Sequence, residues 1–178
     1  MTYYGGKDLA RSFRVVRRNT LVIAEEIPEQ QYGFRPMPAC RSVAEILAHI
    51  AASSRGNYET HVVKRIPTFV GIDFPAMHRQ MREAEGKLTS KVEIIAALRA
   101  DGEAWGAFLD KVTEDQLSEA VTFPEPLEPR SKSRLEMVQQ VKEHEMHHRA
   151  QLMVYERLLG LVPHLTRERE ARMTQAAR

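Results

Sequence analysis

The sequence predicts an all-α protein, a four-helix bundle with long connections between some of its helices. Apolar residues recur at helical spacing in four segments, whereas no long alternation of apolar and polar residues indicates a strand. Three of the four segments open with a serine followed three residues later by a glutamate, the pattern of a helix N-terminal capping box. The 178 residues suffice for one domain with a hydrophobic core, but hardly for two.

The first two helices are predicted from apolar stripes and from the residues that mark where each helix begins or ends. The first runs from about Lys7 to Glu26, ahead of Pro28. The second begins at Ser42, where the Ser42 hydroxyl and the Glu45 carboxylate can satisfy free amides of the first turn. Its apolar positions continue to a predicted end near Arg65, and they are Val43, Ile46, Leu47, Ile50 and Tyr58.

The third and fourth helices carry the same start signal. The third begins at Ser90 with Glu93 and continues to Val112. The fourth begins at Ser133 with Glu136, and its stripe ends at Gly160, a suitable C-terminal cap. This stripe combines apolar residues with two histidines: Met137, Val141, His144, His148, Leu152, Tyr155 and Leu159.

Two connections, residues 66–89 and 113–132, are too long for plain loops, so each is predicted to contain short helical turns or to lie across a site. The long second connection also permits the second and third helices to run parallel in a crossover bundle. We assign residues 1–162 to the bundle and residues 163–178 to a polar C-terminal tail. The tail is either a short extra helix or disordered.

Composition gives no reason to expect nucleic acid or a membrane as a partner, since 26 basic and 24 acidic side chains leave a net charge of +2. The basic clusters at 11–18 and 167–172 are interpreted as solvated helix faces. The single cysteine, Cys40, is interpreted as an unreactive loop residue. Without a signal peptide or an apolar run of membrane-spanning length, the expected location is the cytoplasm.

The fourth helix carries the pattern that indicates chemistry. His144 and His148 are four residues apart, which on a helix places them about 40° apart around the axis and about 6 Å along it. Two imidazoles at this spacing can bind one metal ion, and their face is the buried stripe. His49 lies on the apolar side of the second helix, so it is the best candidate for a third ligand.

Other interpretations of these histidines stay open at this point. A lone histidine on an apolar face is more often a hydrogen-bonded core residue than a ligand, and an H-x-x-x-H spacing also occurs by chance.

Two segments of the chain resemble the DinB/YfiT-like family. Residues 42–50, Ser-Val-Ala-Glu-Ile-Leu-Ala-His-Ile, look like its second-helix signature, and the run from His144 to Leu152 resembles its fourth-helix signature. The resemblance covers residues from about 7 to 160, and it departs from the family at Ala150, where glycine is usual. It implies an up-down-down-up bundle, a three-histidine metal site at His49, His144 and His148, and a homodimer.

The resemblance also implies metal-dependent hydrolases or low-molecular-weight thiol transferases. Three neutral histidines leave a divalent ion, expected to be Zn²⁺ or Ni²⁺, with an open position for a water or a thiolate that attacks a small electrophile. Glu59 and Glu145 are candidate outer carboxylates or bases. Two alternatives remain: a non-catalytic metal-binding or sensing module of the stress-response type, and a bundle whose histidines hold no metal.

Overall fold

The computed structural model describes residues 4–176 and confirms the four-helix bundle. Seven α-helices occur in that part of the chain, and four of them are long. Their bounds are α1 Gly6–Glu26, α2 Val43–Tyr58, α3 Phe74–Gly86, α4 Lys91–Leu109, α5 Glu114–Ser118, α6 Arg134–Leu158 and α7 His164–Ala176. The bundle consists of α1, α2, α4 and α6, which correspond to the four helices predicted from the sequence.

The cross-helix contacts fix the direction of α4. Arg14, early in α1, pairs with Asp110 just after the end of α4, at 3.1 Å from Nη1 to Oδ1. At the other end, Lys91 Nζ donates to the Ile27 carbonyl at 2.8 Å. The two helices therefore run antiparallel, with the end of one beside the start of the other.

The second and third long helices run parallel, as the long connection between them permits. Arg55 Nε donates to Asp101 at 3.1 Å, and the Tyr58 and Trp105 rings lie 6.4 Å apart. Later residues of α2 therefore contact later residues of α4. In contrast, α6 is antiparallel to α2, because the Tyr155 hydroxyl donates to the Arg41 carbonyl before the start of α2. The result is the predicted up-down-down-up topology.

All three predicted serine caps are present. The hydroxyls of Ser42, Ser90 and Ser133 accept from the backbone amide three residues on, and the glutamate there accepts from the serine amide. The predicted end of the second helix near Arg65 is also close, because α2 continues into a π-helical turn over Glu59–Val63. Arg65 itself adopts a positive φ of 45°, and the chain turns away there.

The two long connections are structured. The first contains α3, which packs along α2 outside the bundle. The second contains α5 and a two-stranded antiparallel sheet, β1 Ala120–Thr122 and β2 Ser131–Ser133, with Val121 opposite Lys132. Three-residue strands are too short to leave an alternating pattern, so the sequence analysis did not find them. The polar tail forms α7, whose Arg167 pairs with Glu26 of α1.

Arg17 is a charged residue of the core. It is 4% exposed and was wrongly included in a solvated face, whereas its neighbours Arg14 and Arg18 are exposed as predicted. Arg17 lies one turn after the buried Phe13, so helical phase points it inward. None of the helices in residues 4–176 is long and apolar enough to cross a membrane.

Candidate metal centre

The three predicted histidines meet between α2 and α6. His49 lies near the middle of α2, and His144 and His148 lie on successive turns of α6. His49 Nε2 is 3.0 Å from His144 Nε2, and His148 Nε2 is 3.1 Å from the same atom. One ring nitrogen of each residue lies within 4.8 Å of the other two. The structure therefore brings together the residues that the sequence analysis selected.

The outward ring nitrogens show which protonated form two of the histidines take. His49 Nδ1 lies 2.6 Å from Glu85 Oε1, and His148 Nδ1 lies 2.9 Å from Gln151 Oε1. Both oxygens are acceptors, so the proton of each neutral ring is on Nδ1. The Nε2 atoms of His49 and His148 are then lone-pair donors that point toward His144.

Burial disfavours the charged form of two of the three histidines. Removal from water, followed by the neighbouring histidines, lowers the pKa of His144 to about 4. Burial likewise lowers the pKa of His148, although its hydrogen bond to Gln151 opposes the shift. Both imidazoles are therefore neutral at physiological pH, which is the form that binds a metal ion.

This donor set fits a divalent metal ion. The Nε2 atoms of His49 and His148 both offer a lone pair to His144 Nε2. His144 Nε2 carries at most one proton, so it can donate a hydrogen bond to only one of them. Two nitrogens bound to one tetrahedral ion at about 2.0–2.1 Å lie roughly 3.3 Å apart, close to the observed 3.0 and 3.1 Å. A cation at the common point satisfies all three lone pairs.

Glu85, near the end of α3, completes the surroundings of His49. Its second oxygen, Oε2, accepts from Arg41 Nη1 at 3.1 Å, so the carboxylate is held from two sides. A carboxylate that accepts from a metal-binding histidine fixes the ring orientation and raises its basicity. Arg41, Glu85 and His49 thus form a line of contacts from the surface to the site.

The sequence analysis missed Glu85 because residues 66–89 were treated as a connection. A signal for α3 was present: Asp73 caps the helix by accepting from the Ala76 amide, Pro75 occupies its first turn, and Met77 and Met81 follow at helical spacing. No short-range pattern, however, links Glu85 to a histidine 36 residues away.

The other candidate residues lie elsewhere. Glu145 turns into the bundle, where both of its carboxylate oxygens accept from Arg17. Glu59 is half-exposed in the π-helical turn, 3.5 Å from Lys64 Nζ. His147 is exposed and contacts Gln151, the residue that positions His148. His61 is buried beside Arg134 and is not part of the histidine group.

Comparisons with known proteins agree with this fold. A sequence model of the DinB superfamily matches residues 12–152, which is most of the chain. This chain belongs to the DinB superfamily. The protein YjoA of Bacillus subtilis, itself uncharacterized, is 25% identical over 144 residues, which span 81% of this chain and 84% of YjoA.

Two solved structures of DinB-like proteins show the same fold. The crystal structure of Bacillus subtilis YjoA superposes with a TM-score of 0.61 at 22% identity, covering 85% of this chain and 92% of that one. Bacillus subtilis YfiT superposes with a TM-score of 0.70 at 14% identity, covering 90% and 91%. YfiT is described as a probable metal-dependent hydrolase with an unusual four-helix bundle topology. At these identities the likeness establishes the architecture, with its crossover between the second and third bundle helices.

Proposed function

We propose that this DinB superfamily protein is a metal-dependent enzyme that acts on a small electrophilic molecule by hydrolysis or by transfer of a low-molecular-weight thiol. One observation carries the proposal: ring nitrogens of three histidines converge, and no fourth His, Cys, Asp or Glu of residues 4–176 joins the group. Structural zinc sites are closed by four protein ligands, whereas catalytic sites keep a position open. The description of YfiT as a probable metal-dependent hydrolase supports the same proposal.

Each residue around the site has a definable task. His49, His144 and His148 would hold the ion, and Glu85 and Gln151 keep a proton on Nδ1 of the two histidines that they contact. The ion, when bound, supplies Lewis acidity and lowers the pKa of a water or thiol that binds to it. Imidazole ligands suit both Zn²⁺ and Ni²⁺.

Space for a substrate adjoins His144. A cleft of about 470 Å³ lies between α2 and α6, with Ser53 and Asn57 on one wall and Gln140, His144 and His147 on the other. This volume lies within the usual range for small-molecule sites. Polar side chains in this cleft can orient a substrate, and we propose the cleft as the side from which it reaches the ion.

A second candidate function is a non-catalytic module in which the ion fastens helices together. The position of the ligands favours this second candidate, because the site joins α2 to α6 and, through Glu85, to α3. Both candidates require metal, so only turnover separates them.

Metal content of untagged protein is the first test. We expect about one divalent ion per chain, loss of the ion in His144→Ala, and retention in His78→Ala, an exposed histidine of α3. Chelation of the wild type should remove about 3 kcal/mol of stability where the free metal exceeds its Kd a hundredfold, which lowers Tm by roughly 5–10 °C. The proposal would be contradicted if the wild-type protein held no metal after incubation with Zn²⁺ and Ni²⁺.

Turnover is the second test. Metal-loaded protein is incubated with activated esters, and separately with electrophiles paired with a panel of low-molecular-weight thiols. We expect product from one of these two groups, and none from His144→Ala. Release of a carboxylic acid and an alcohol from an ester identifies hydrolysis, and a thioether formed from an electrophile and a thiol identifies thiol transfer. Metal-loaded wild type without any product would favour the non-catalytic module.

A further inference from the structure

A second, larger space lies along α2 and α3. A cavity of about 540 Å³ is enclosed by α2 and its π-helical turn, by the segment that leads into α3, by α3 itself, and by Met137 of α6. It is separate from the polar cleft beside His144, but Asn57 lines both spaces. Its apolar walls come mainly from six side chains: Ile66, Phe69, Ile72, Met77, Met81 and Met137.

The cavity begins close to the histidine site and extends away from it. Ala52, which lines it, lies three residues beyond His49, about 4.5 Å along α2. The lining on this helix continues to Thr60, so the cavity follows α2 for about 12 Å. On α3, the lining residue Ala84 is adjacent to Glu85, the partner of His49. One end of the cavity is therefore lined by residues that lie within three positions of His49 and Glu85.

The charges at the rim of the cavity are already paired. Arg55 donates to Asp101 of α4, and Lys64 lies 3.5 Å from Glu59. Asp73 accepts from the Ala76 amide at the start of α3. Buried His61 adds no charge, because burial and then Arg134 lower its pKa to about 4. The lining offers no unpaired charge to an ionic ligand group.

The apolar lining favours a flexible chain over a flat ring. Phe69 already stacks on Phe74 and Phe123, with ring centroids 5.9 and 5.4 Å away, so its faces are engaged within the protein. Methionine side chains have three rotatable bonds and a polarisable sulfur, and they adapt to flexible apolar ligands. Three of the six apolar side chains are methionines.

We infer that this cavity binds an uncharged aliphatic chain of the substrate, with the reacting group of the same molecule placed at the three histidines. This inference deepens the proposed function and rests on it for the reacting end, whereas binding of the chain is a property of the cavity alone. The substrate class is a small molecule with an alkyl or acyl tail about 12 Å long.

Straight-chain primary alcohols from butanol to decanol test the inference without any reaction. The protein is labelled at the methionine methyl carbons, and binding is followed by NMR. We expect saturable shifts at Met77, Met81 and Met137, and none at Met146 and Met173, which are 41% and 62% exposed. Affinity should rise about fourfold with each added methylene until the cavity is filled.

Gly56 offers a matched pair of variants. A Cβ at this position would contact the Met81 methyl at 3.8 Å, so a side chain there enters the cavity without a backbone clash. Gly56→Phe should reduce alcohol affinity at least tenfold, whereas Gly56→Ala should retain it. Equal affinity in the two variants, shifts shared by the exposed methionines, or no shifts at all would overturn the inference.

The same titration on chelated and metal-loaded protein separates the two proposals. Alcohol binding by a protein that takes up no metal even after incubation with Zn²⁺ and Ni²⁺ would leave the cavity assignment standing and remove the proposed function. Metal binding without alcohol binding would do the reverse.

Discussion

Arg17 and Glu145 form a two-point ion pair at the centre of the bundle. Arg17 Nε donates to Oε1 and Nη2 donates to Oε2, both at 2.9 Å, and the side chains are 5% and 1% exposed. Arg17 also donates to the Leu98 carbonyl and to Ser54 Oγ. One guanidinium from α1 thus contacts α2, α4 and α6, and it does so one residue from His144.

Loss of this guanidinium should strongly destabilise the fold. Arg17→Gln leaves the buried Glu145 carboxylate without its cation, and we expect a cost of about 3–5 kcal/mol in the free energy of unfolding. Urea denaturation measures it. The control is Arg14→Gln, one turn earlier, whose pair with Asp110 is over 40% exposed on both sides and should cost less than about 1 kcal/mol. Similar costs for the two variants would contradict the central role of Arg17.

Glu85 should control metal affinity without being a ligand. Glu85→Gln removes the charge that holds His49 Nδ1–H, and we expect metal affinity to fall by about 10–100-fold. Competition with a chromogenic chelator measures it. The exposed Glu83 lies on the same helix, and Glu83→Gln should leave the affinity unchanged. If Glu85→Gln binds the metal with the same Kd as the wild type, the contact between Glu85 and His49 does not affect metal affinity.

Glu156 should make stability depend on pH. It is fully buried in α6, and burial, followed by the Glu26 charge, raises the pKa of its carboxyl from 4.5 to about 7. The folded chain holds this proton more tightly than the unfolded chain does. The resulting stabilisation of the fold is therefore fully present below pH 4.5 and is lost as the pH rises to about 7. Arg167 and Arg157 oppose the shift only in part.

Glu156→Gln should remove this dependence. We expect the variant to match the wild type near pH 4 and to exceed it by up to about 3 kcal/mol at pH 8, since one pKa unit corresponds to about 1.4 kcal/mol. Denaturation curves across this range measure the difference. Glu168→Gln, at an exposed site of α7, should give a flat difference. A flat difference for Glu156→Gln as well would mean that its carboxyl titrates normally.

Gly102 should be intolerant of a methyl group. A Cβ there would lie 2.8 Å from Arg17 Cγ and 2.9 Å from Arg17 Nη1, so alanine displaces the central guanidinium. We expect Gly102→Ala to cost about 1–3 kcal/mol in thermal or chemical unfolding. Gly56→Ala, which has only ordinary contact, should instead add about 0.5–1 kcal/mol, the usual gain within a helix. A stabilised Gly102→Ala would show that Arg17 can move aside.

Local rules account for what the sequence predicted well. Ser42 and Ser133 each bond to an amide three residues away, so a short motif is enough to place a helix start. The pairing of His144 with His148 likewise depends only on helical spacing. His49 joined them because the family signature and its apolar surroundings agreed.

Long-range packing explains what the sequence could not show. Arg17 is buried because Glu145, 128 residues later, supplies its counter-charge, and no nearby residue announces that partner. Because such partners are invisible in the sequence, Glu145 was a candidate for the metal site. The carboxylate that contacts His49 is instead that of Glu85.

The parallel arrangement of α2 and α4 obliges the chain to travel back along the bundle before α4 can begin. That return path is α3 and the residues leading into it, and it supplies Glu85 and most of one wall of the apolar cavity. Under the proposed function, the bundle helices hold the ion and the returning segment selects the substrate. Exchanging residues 64–90 between relatives should then transfer substrate preference and leave His49, His144 and His148 in place.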